Sequence, residues 1–341
     1  MRIGILASVS WRVPPRQYGG WESIAHLLAE GLTAKGHDVT LFATADSQTS
    51  ARLESVVPRP LEEDRDLPSR LYETLHIAHA YEDAANLNIL HNNIGVFGAA
   101  LSRLSPVPVL TTLHGSGAEE DSRIAYQRYR EQPYVSISNA ERALAPDLNY
   151  VATVYNGIAA ANLPEPTEPD DYLLFLGRLS PDKGVHNAVR VAQITGRRLL
   201  ISGIVPESNR AYYDEQIAPH VDGERIAFLG PCDPGTRNKL MNRAYAFLHL
   251  IEYQEAFGLT MAEAMATGCP VIAFRRGSVP EVVRDGETGY IVETVEEAAE
   301  AVERIPHLER QACSEWARQQ FSAEQMVDGY ERVYETLART S

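Results

Sequence analysis

The sequence predicts an α/β protein of two domains, each built on a parallel sheet with helices on both faces. Short apolar runs that suit buried strands alternate with amphipathic stretches at helical spacing. This alternation stops at one proline-rich, acidic break and then restarts. A length of 341 residues agrees with two domains, because a domain usually holds roughly 100–200 residues.

The alternation is clear from the first residues. The run Arg2–Leu6 (RIGIL) predicts a buried strand. Residues 21–36 predict a helix, with Ile24 and Leu28 on its apolar face and Gly36 at its end. Further strands of this half are predicted at residues 38–43, 89–91, 107–113, Tyr134–Ser136 and 151–154.

The break lies at residues 163–171, which read LPEPTEPDD, with three prolines and four acids. Proline restricts its own backbone and that of the residue before it, so this segment predicts an extended connector. After it, strands are predicted at Tyr172–Leu176, Arg198–Ser202, residues 225–229, residues 246–250 and Val271–Phe274. We therefore expect two Rossmann-like domains that face each other across a cleft, with ligands at the carboxyl ends of the strands.

Composition excludes several classes of function. The chain has 31 basic and 46 acidic residues, a net charge of −15, which disfavours a nucleic-acid partner. Its three cysteines form no CxxC pair, so neither a disulfide framework nor a structural zinc site is expected. No apolar run approaches the ~20 residues that span a bilayer, and the start MRIGILASVSW does not read as a signal peptide. A cytoplasmic location is the expectation.

The strongest motif is EAFGLTMAE, from Glu255 to Glu263, which follows a predicted strand and opens a helix. The backbone N–H groups of Phe257, Gly258 and Leu259 lie where a helix N-terminus binds anions. A carboxylate beside such a site can accept hydrogen bonds from sugar hydroxyls. The spacing alone fits an ordinary amphipathic helix with two surface glutamates better than it fits a binding site.

A second motif, GRLSPDKG, places two cations around one turn after a predicted strand. Arg178 and Lys183 could clamp a diphosphate there, and arginine can bind it through two hydrogen bonds. The residues by themselves fit a solvated turn with two surface cations just as well.

Two features of the first half complete the candidate site. Gly19 and Gly20 precede the first helix and allow an anion to come close, although paired glycines also make a plain turn. His114 ends a predicted strand and would point into the cleft, although a structural histidine is the commoner case. His91 also ends a strand and ranks lower, as a structural or acceptor-side residue.

These motifs together resemble the retaining glycosyltransferases of family four. The segments that show this resemblance are EAFGLTMAEAMATGCPVIA, the following GSVPEVVRDGETGYIV, the GR-x-x-x-x-KG block and the GG-x-E loop. The resemblance implies that Glu263 binds the nucleotide ribose and that Glu255 contacts the donor sugar. It implies that Arg178 and Lys183 neutralise the leaving diphosphate. The family usually has Gly or Pro where this chain has Ala256.

The resemblance also implies a GT-B fold and a role for each domain. Residues 1–155 are expected to form the acceptor domain, and residues 156–320 the nucleotide-sugar donor domain. Residues 321–341 are expected to form a helix that crosses back to the first domain. Gly19 and Gly20 are expected near the donor phosphates or sugar, and His114 near the point of sugar transfer.

The donor and acceptor are less defined by the sequence. A UDP-sugar is the first expectation and a GDP-sugar the second. The nucleotide-sugar is a co-substrate, and neither a cofactor nor a metal is expected, because no Asp-x-Asp pair lies in a metal-binding setting. The acceptor is expected to offer a hydroxyl on a sugar, glycoside or small metabolite, in preference to a lipid. The oligomeric state is open.

Other functions are weaker fits. A nucleotide-sugar epimerase or hydrolase of the same fold differs only in its products, and a phosphorylase would need a marked pyridoxal-binding lysine. A non-catalytic nucleotide-sugar binder would not need Glu255, Glu263, Arg178 and Lys183 together. A dehydrogenase is disfavoured because the first strand is followed by Ala7-Ser-Val-Ser and not by G-x-G-x-x-G.

Overall fold

The computed structural model describes residues 1–17, 19–115 and 120–339. They divide into two compact units. Unit 1 comprises Met1–Gly157 together with the chain from Ala323 onward, and unit 2 comprises Ile158–Ser322. The division falls two residues beyond the predicted start of the second domain.

Unit 1 is built on a seven-stranded parallel sheet in the order β3-β2-β1-β4-β5-β6-β7. Its strands are β1 (Arg2–Leu6), β2 (Asp38–Thr44), β3 (Arg52–Val57), β4 (Ile89–Asn92), β5 (Val109–Thr112), β6 (Tyr134–Ser136) and β7 (Tyr150–Thr153). The order reverses between β1 and β4, so the loops after these two strands lie at the position where open α/β sheets bind ligands.

The helices that follow these strands are α1 (Gly20–Ala34), α2 (Ser69–Glu82), α3 (Val96–Ala99), α4 (Glu120–Arg128) and α5 (Asn139–Leu144). Helix α1 buries Ile24 and Leu28, the apolar positions that its sequence spacing predicts. Strand β3 was not predicted, because as an edge strand it is only half-buried and includes Arg52 and Glu54.

Unit 2 is built on a six-stranded parallel sheet in the order β10-β9-β8-β11-β12-β13. Its strands are β8 (Tyr172–Leu176), β9 (Arg198–Ser202), β10 (Ile226–Phe228), β11 (Ala246–His249), β12 (Val271–Phe274) and β13 (Gly289–Val292). The order reverses between the hydrogen-bonded neighbours β8 and β11. The loops after β8 and β11, which contain the two predicted donor motifs, therefore lie side by side.

The helices of unit 2 are α6 (Val185–Thr195), α7 (Arg210–Tyr212), α8 (Pro234–Arg243), α9 (Leu259–Ala266), α10 (Val279–Val282), α11 (Val295–Arg304) and α12 (Arg310–Gln320). Its core joins strand residues such as Phe175 and Leu248 to the apolar faces of α6 and α11. The predicted connector, residues 163–171, belongs to this unit and runs along its surface. Its Asp170 accepts hydrogen bonds from Arg243, at the end of α8.

The last helix, α13 (Ala323–Arg339), packs against α1 of unit 1. Gly31 of α1 allows the close approach, because a Cβ there would lie 2.5 Å from a methyl group of Val327. Lys35 pairs with Asp328 at 2.7 Å, and also with Glu331. The predicted return of the C-terminal helix to the first half of the chain is confirmed.

Candidate functional site

The loop after β8 is held against the loop after β11 by its backbone. Gly184 adopts a left-handed conformation (φ 68°), and a Cβ there would lie 1.8 Å from the carbonyl oxygen of Leu250. The amide of Glu252 donates to the carbonyl oxygen of Asp182 at 2.8 Å. Only glycine fits this contact, which brings Lys183 next to the segment that leads into the EAFGLTMAE motif.

Four side chains form the centre of this arrangement: Lys183, His249, Tyr253 and Glu255. Both His249 Nε2 (3.2 Å) and the Tyr253 hydroxyl (2.7 Å) donate to the same oxygen of Glu255, Oε2. The Lys183 ammonium lies 4.0 Å from that oxygen, donates to the Tyr253 hydroxyl and sits over the Tyr253 ring. We refer to these four residues as the carboxylate cluster. The sequence singled out two of them, Lys183 and Glu255.

The carboxylate cluster keeps Glu255 ionised. Burial by itself raises the pKa of Glu255, but the hydrogen bond from His249, the charge of Lys183 and the Tyr253 hydroxyl together lower that pKa to about 2. Burial also lowers the pKa of Lys183, against the opposing effect of Glu255. The result is a buried negative charge beside a partly buried positive charge, an arrangement that costs desolvation and is common at functional sites.

Arg178 lies on the same loop as Lys183 but outside the cluster. Its guanidinium is 3.9 Å from Asp182, and its side chain is 43% exposed. The structure thus provides one partly buried cation, Lys183, and one exposed cation, Arg178, on this loop. The exposed arginine is free to turn toward an anion, since a surface ion pair holds it weakly.

The N-terminus of α9 follows the cluster directly. Gly258 has a left-handed backbone (φ 79°) at the N-cap, and the helix begins at Leu259, which is partly exposed. Phe257 is buried and packs edge-on against Phe321 at 5.4 Å between ring centroids. Of Phe257, only the backbone is therefore positioned to meet a ligand, because the side chain belongs to the core.

Glu263, one turn into α9, is paired with a residue that the sequence analysis did not identify. Arg237 of α8 donates to Glu263 Oε1 at 2.9 Å. This carboxylate lies apart from the carboxylate cluster, and its side chain is 18% exposed. The two glutamates of the motif thus have separate partners.

The loop before α10 packs against the backbone of Glu255. A Cβ on Gly277 would lie 2.1 Å from the Glu255 carbonyl oxygen, and the amide of Ser278 donates to that same oxygen at 2.8 Å. This explains why the GSVPEVV segment begins with glycine. Its role is to let two backbones meet.

In unit 1, His114 lies at the end of β5 with a left-handed backbone (φ 51°), which is unusual for a residue other than glycine. Its Nε2 is 3.0 Å from Asn93 Oδ1, and its ring stacks on Trp21 at 5.6 Å between centroids. Burial lowers the pKa of His114 to about 4, so the imidazole is neutral at pH 7. Such a backbone at a strand end is typical of functional positions.

The adjacent backbone is held by Glu141, a buried glutamate that the sequence analysis missed. Glu141 accepts hydrogen bonds from the amide of Gly115 and, at 2.7 Å, from that of Ile137. Burial raises the pKa of Glu141 to about 7, against the effect of these two bonds. No sequence signal links Glu141 to Gly115, because the fold alone brings the ends of β5 and β6 together.

The Gly19–Gly20 loop packs on a buried carboxylate. Gly19 has a positive φ of 146°, and a Cβ there would lie 2.9 Å from Glu22 Oε2. Glu22 is almost fully buried and accepts a hydrogen bond from the amide of Trp11. Burial raises the pKa of Glu22. Gly20 is the first residue of α1.

His91 has a structural role. It is fully buried, with Nδ1 2.7 Å from the Tyr334 hydroxyl and Nε2 2.8 Å from Thr112 Oγ1. Both ring nitrogens are thus occupied by contacts that fix α13 on the sheet. Of the two readings that the sequence left open for His91, the structure supports the structural one.

Within residues 1–17, 19–115 and 120–339, no group of three or more His, Cys, Asp or Glu side chains is placed to hold a metal ion. In the same part of the chain, no helix has both the length and the apolar character to cross a bilayer.

Several proteins are similar to this chain. Glycogen synthase of Mycobacterium tuberculosis (strain CDC 1551 / Oshkosh) is 25% identical over 335 residues, which are 82% of this chain and 80% of that protein. The structure of sucrose-phosphate synthase from Thermosynechococcus elongatus superposes with a TM-score of 0.83 at 21% identity, with 100% of both chains covered. Anabaena Alr3699/HepE in complex with UDP-glucose superposes with a TM-score of 0.77 at 20% identity, over 99% of this chain and 100% of that one.

Two family profiles match adjoining stretches. Residues 18–160 match the profile described as Glycosyltransferase Family 4, and residues 162–320 match the profile described as Glycosyl transferases group 1. The two matches meet near the boundary between the two units. The chain therefore belongs to the group 1, family 4 glycosyltransferases, retaining enzymes of GT-B fold that use a nucleotide-sugar donor.

Proposed function

We propose that this enzyme transfers a sugar from a UDP-sugar to a hydroxyl group with retention of anomeric configuration and without a metal ion. Unit 2 would bind the donor and unit 1 the acceptor. UDP is preferred over GDP, and the similar Anabaena protein crystallised with UDP-glucose supports that preference. The acceptor hydroxyl would belong to a sugar, a glycoside or a small metabolite. A cytoplasmic location is part of the proposal.

The observation that supports the proposal most is the carboxylate cluster next to the N-terminus of α9. An ionised Glu255 can accept hydrogen bonds from sugar hydroxyls, and the free N–H groups after Gly258 can bind the diphosphate. Glu263, on the next turn, would bind the ribose hydroxyls. A sugar, a diphosphate and a ribose follow one another in the same order in a nucleotide-sugar.

The chemistry asked of unit 2 is charge neutralisation. As the bond between the sugar and the diphosphate breaks, negative charge collects on the departing phosphate. Lys183 and Arg178 would stabilise that charge, with Lys183 largely desolvated and therefore more effective. The acceptor hydroxyl would attack from the same face of the sugar, and the departing phosphate would take its proton.

The roles proposed in unit 1 rest on backbone geometry and on a neutral imidazole. With Nε2–H donating to Asn93, the other ring nitrogen of His114 is left as a hydrogen-bond acceptor. It can therefore accept a hydrogen bond from a sugar hydroxyl without adding charge. Gly19 and Gly20 would let a phosphate or sugar come close to the start of α1.

The first test is a thermal-stability screen with UDP, GDP, ADP and CMP, followed by measurement of donor hydrolysis with the matching sugars. A nucleotide at 100 times its Kd adds roughly 2.7 kcal/mol to the free energy of unfolding. UDP is expected to give the largest shift. If no nucleotide stabilises the protein, the donor site is wrongly placed.

Two variants then separate the assigned roles. Glu263→Ala is expected to raise the Kd for UDP about tenfold, through the loss of hydrogen bonds to the ribose. Lys183→Ala is expected to lower kcat with a smaller effect on that Kd, because the charge it neutralises develops during the reaction. Glu296→Gln, an exposed glutamate on α11, is the control. Equal effects of the first two variants on binding and on kcat would refute the assignment.

A further inference from the structure

Tyr253 occupies a position in unit 2 that the roles proposed above leave unexplained. Its hydroxyl contacts both Lys183 and Glu255. It donates to Glu255 Oε2 at 2.7 Å and receives a hydrogen bond from the Lys183 ammonium. The Lys183 and Glu255 charges are themselves 4.0 Å apart, beyond hydrogen-bond distance. The contact between the two charged residues therefore runs through a neutral hydroxyl.

The direction of this chain of hydrogen bonds is fixed by chemistry. Burial, and next the charge of Glu255, raise the pKa of Tyr253 far above the ordinary tyrosine range, so the phenol keeps its proton. A protonated Lys183 can only donate, and an ionised Glu255 can only accept. The single phenolic proton must therefore point at Glu255, which leaves the phenolic oxygen to accept from Lys183.

The two carboxylate oxygens of Glu255 differ in their hydrogen-bond partners. Oε2 accepts from both His249 and Tyr253. Oε1 accepts a hydrogen bond from the amide of Ala256 at 3.1 Å. A carboxylate tied down through one oxygen cannot rotate freely. Its second oxygen is held in one direction, with a lone pair left for a ligand.

We propose that Tyr253 is a positioning residue for the donor site, which fixes the oxygen that Glu255 presents to the donor sugar and the place from which Lys183 meets the diphosphate. This inference rests on the proposed function of unit 2. Tyr253 would not touch the reacting atoms. It would act through Glu255 and Lys183, so that neither side chain has to be ordered when the donor binds, an ordering that otherwise reduces affinity.

The decisive variant is Tyr253→Phe, which removes the hydroxyl and keeps the ring beneath Lys183, 4.6 Å from the ammonium. Tyr245→Phe is the matched control. Tyr245 is also a partly buried tyrosine of unit 2 with a cation, Arg197, over its ring. Kd values for UDP and for UDP-glucose are measured by titration calorimetry with each variant and with the unchanged protein.

The effect of Y253F is expected mainly on the binding of UDP-glucose, which contains the sugar. Y253F should raise the Kd for UDP-glucose about tenfold, through the loss of one charge-assisted hydrogen bond to Glu255. It should raise the Kd for UDP only about twofold, through the looser placement of Lys183, because UDP keeps the diphosphate but has no sugar for Glu255 to contact. Equal weakening of UDP and UDP-glucose, or no weakening of either, would overturn the inference.

The pH dependence of donor hydrolysis gives a second readout that a purely structural tyrosine would not change. The charged groups around Lys183 are Glu255, Arg178 and Asp182. Removing the hydroxyl takes away an acceptor for the protonated amine, so the pKa of Lys183 should fall further. The alkaline limb of kcat/KM should move to lower pH in Y253F and stay in place in Y245F. An unmoved limb contradicts the role toward Lys183.

A double-mutant cycle covers the case in which Y253F loses stability. If Tyr253 acts through Glu255, the tenfold effect on the Kd for UDP-glucose should disappear when Y253F is made in an E255Q background. Additive effects would show that Tyr253 does not act through Glu255. Failure of the unchanged protein to bind either UDP or UDP-glucose is a separate result, which would count against the proposed function.

Discussion

Glu255 of unit 2 and Glu141 of unit 1 are both buried glutamates at the carboxyl edge of a parallel sheet, and their environments shift their pKa values in opposite directions. Glu255 has a pKa lowered to about 2, and Glu141 has a pKa raised to about 7. Both carboxylates accept two or more hydrogen bonds. Burial and the number of hydrogen bonds therefore do not account for the difference.

The difference lies in the charge of the partners. Glu255 has a lysine ammonium 4.0 Å away and a histidine bonded to one of its oxygens. The partners of Glu141 are the amides of Gly115 and Ile137, which offer only dipoles. The hydrogen bond from His249 and the positive charge of Lys183 together outweigh the cost of burying the Glu255 carboxylate, and the two amide dipoles at Glu141 do not. The comparison separates a charged binding site from a carboxyl group that braces the backbone.

The largest effect should appear when each glutamate is replaced by glutamine. E255Q is expected to lower kcat/KM about a thousandfold, a loss typical of a removed electrostatic group in an active site. E141Q is expected to cost less than about tenfold, because its amide oxygen still accepts from one backbone N–H. Initial rates of donor turnover measure both. If the two losses are equal, the distinction between a binding carboxylate and a bracing carboxylate does not hold.

The pH dependence of stability should show Glu141 clearly. Its folded pKa of about 7 lies above the ordinary 4.5, so the folded state holds its proton more tightly. The free energy of unfolding should therefore fall by about 3 kcal/mol, relative to E141Q, as pH rises from 4.5 to 7. Urea unfolding followed by the fluorescence of Trp11 and Trp21 reports on unit 1. Parallel curves for the two proteins would mean that the amides alone stabilise the ionised form.

The contribution of Glu255 to the free energy of unfolding should depend on pH in the opposite direction, and over a more acidic pH range. Its folded pKa of about 2 lies below the ordinary 4.5, so its contribution is fully present above pH 4.5 and is lost as pH falls toward 2. The unchanged protein should lose stability relative to E255Q between pH 4.5 and 3, with Trp316 as the probe of unit 2. If the stability difference between the unchanged protein and E255Q changes above pH 4.5 instead, the pKa of Glu255 is not lowered by folding.

The sequence predicted the two sheets well because buried parallel strands are continuously apolar, as in Tyr172–Leu176 and Val271–Phe274. It missed Arg52–Val57 and Gly289–Val292, two strands at the edges of their sheets. The first of these has charged residues on its open side, and the second lies inside a segment identified only as a motif. Where burial is partial, the apolar pattern that predicts a strand is weak.

The candidate site could be predicted only where its residues are close in sequence. Glu255 and Glu263 lie on one turn and one helix, and Lys183 lies in a distinctive glycine-bounded loop. Tyr253 is only two residues from Glu255, but its contact with Lys183 exists only because β8 and β11 are neighbours, and Arg237 reaches Glu263 from another helix. Spacing also cannot tell a backbone contribution from a side-chain one, so the burial of the Phe257 ring in the core was not foreseen.

The smallest effect is expected at Glu331 of α13, a carboxylate whose side chain is 24% exposed, compared with 11% for Glu255. Lys35 and His37 of unit 1 hydrogen-bond to it, and these bonds lower its pKa. Water already solvates these charges, and the pairing adds little. E331Q should therefore lower the midpoint of thermal unfolding by less than E255Q does. In 1 M salt, the midpoint of E331Q should come still closer to that of the unchanged protein. If E331Q lowers the unfolding midpoint by more than E255Q does, the packing of α13 depends on the bonds from Lys35 and His37 to Glu331. Solvent exposure would then not be what makes an ion pair weak in this protein.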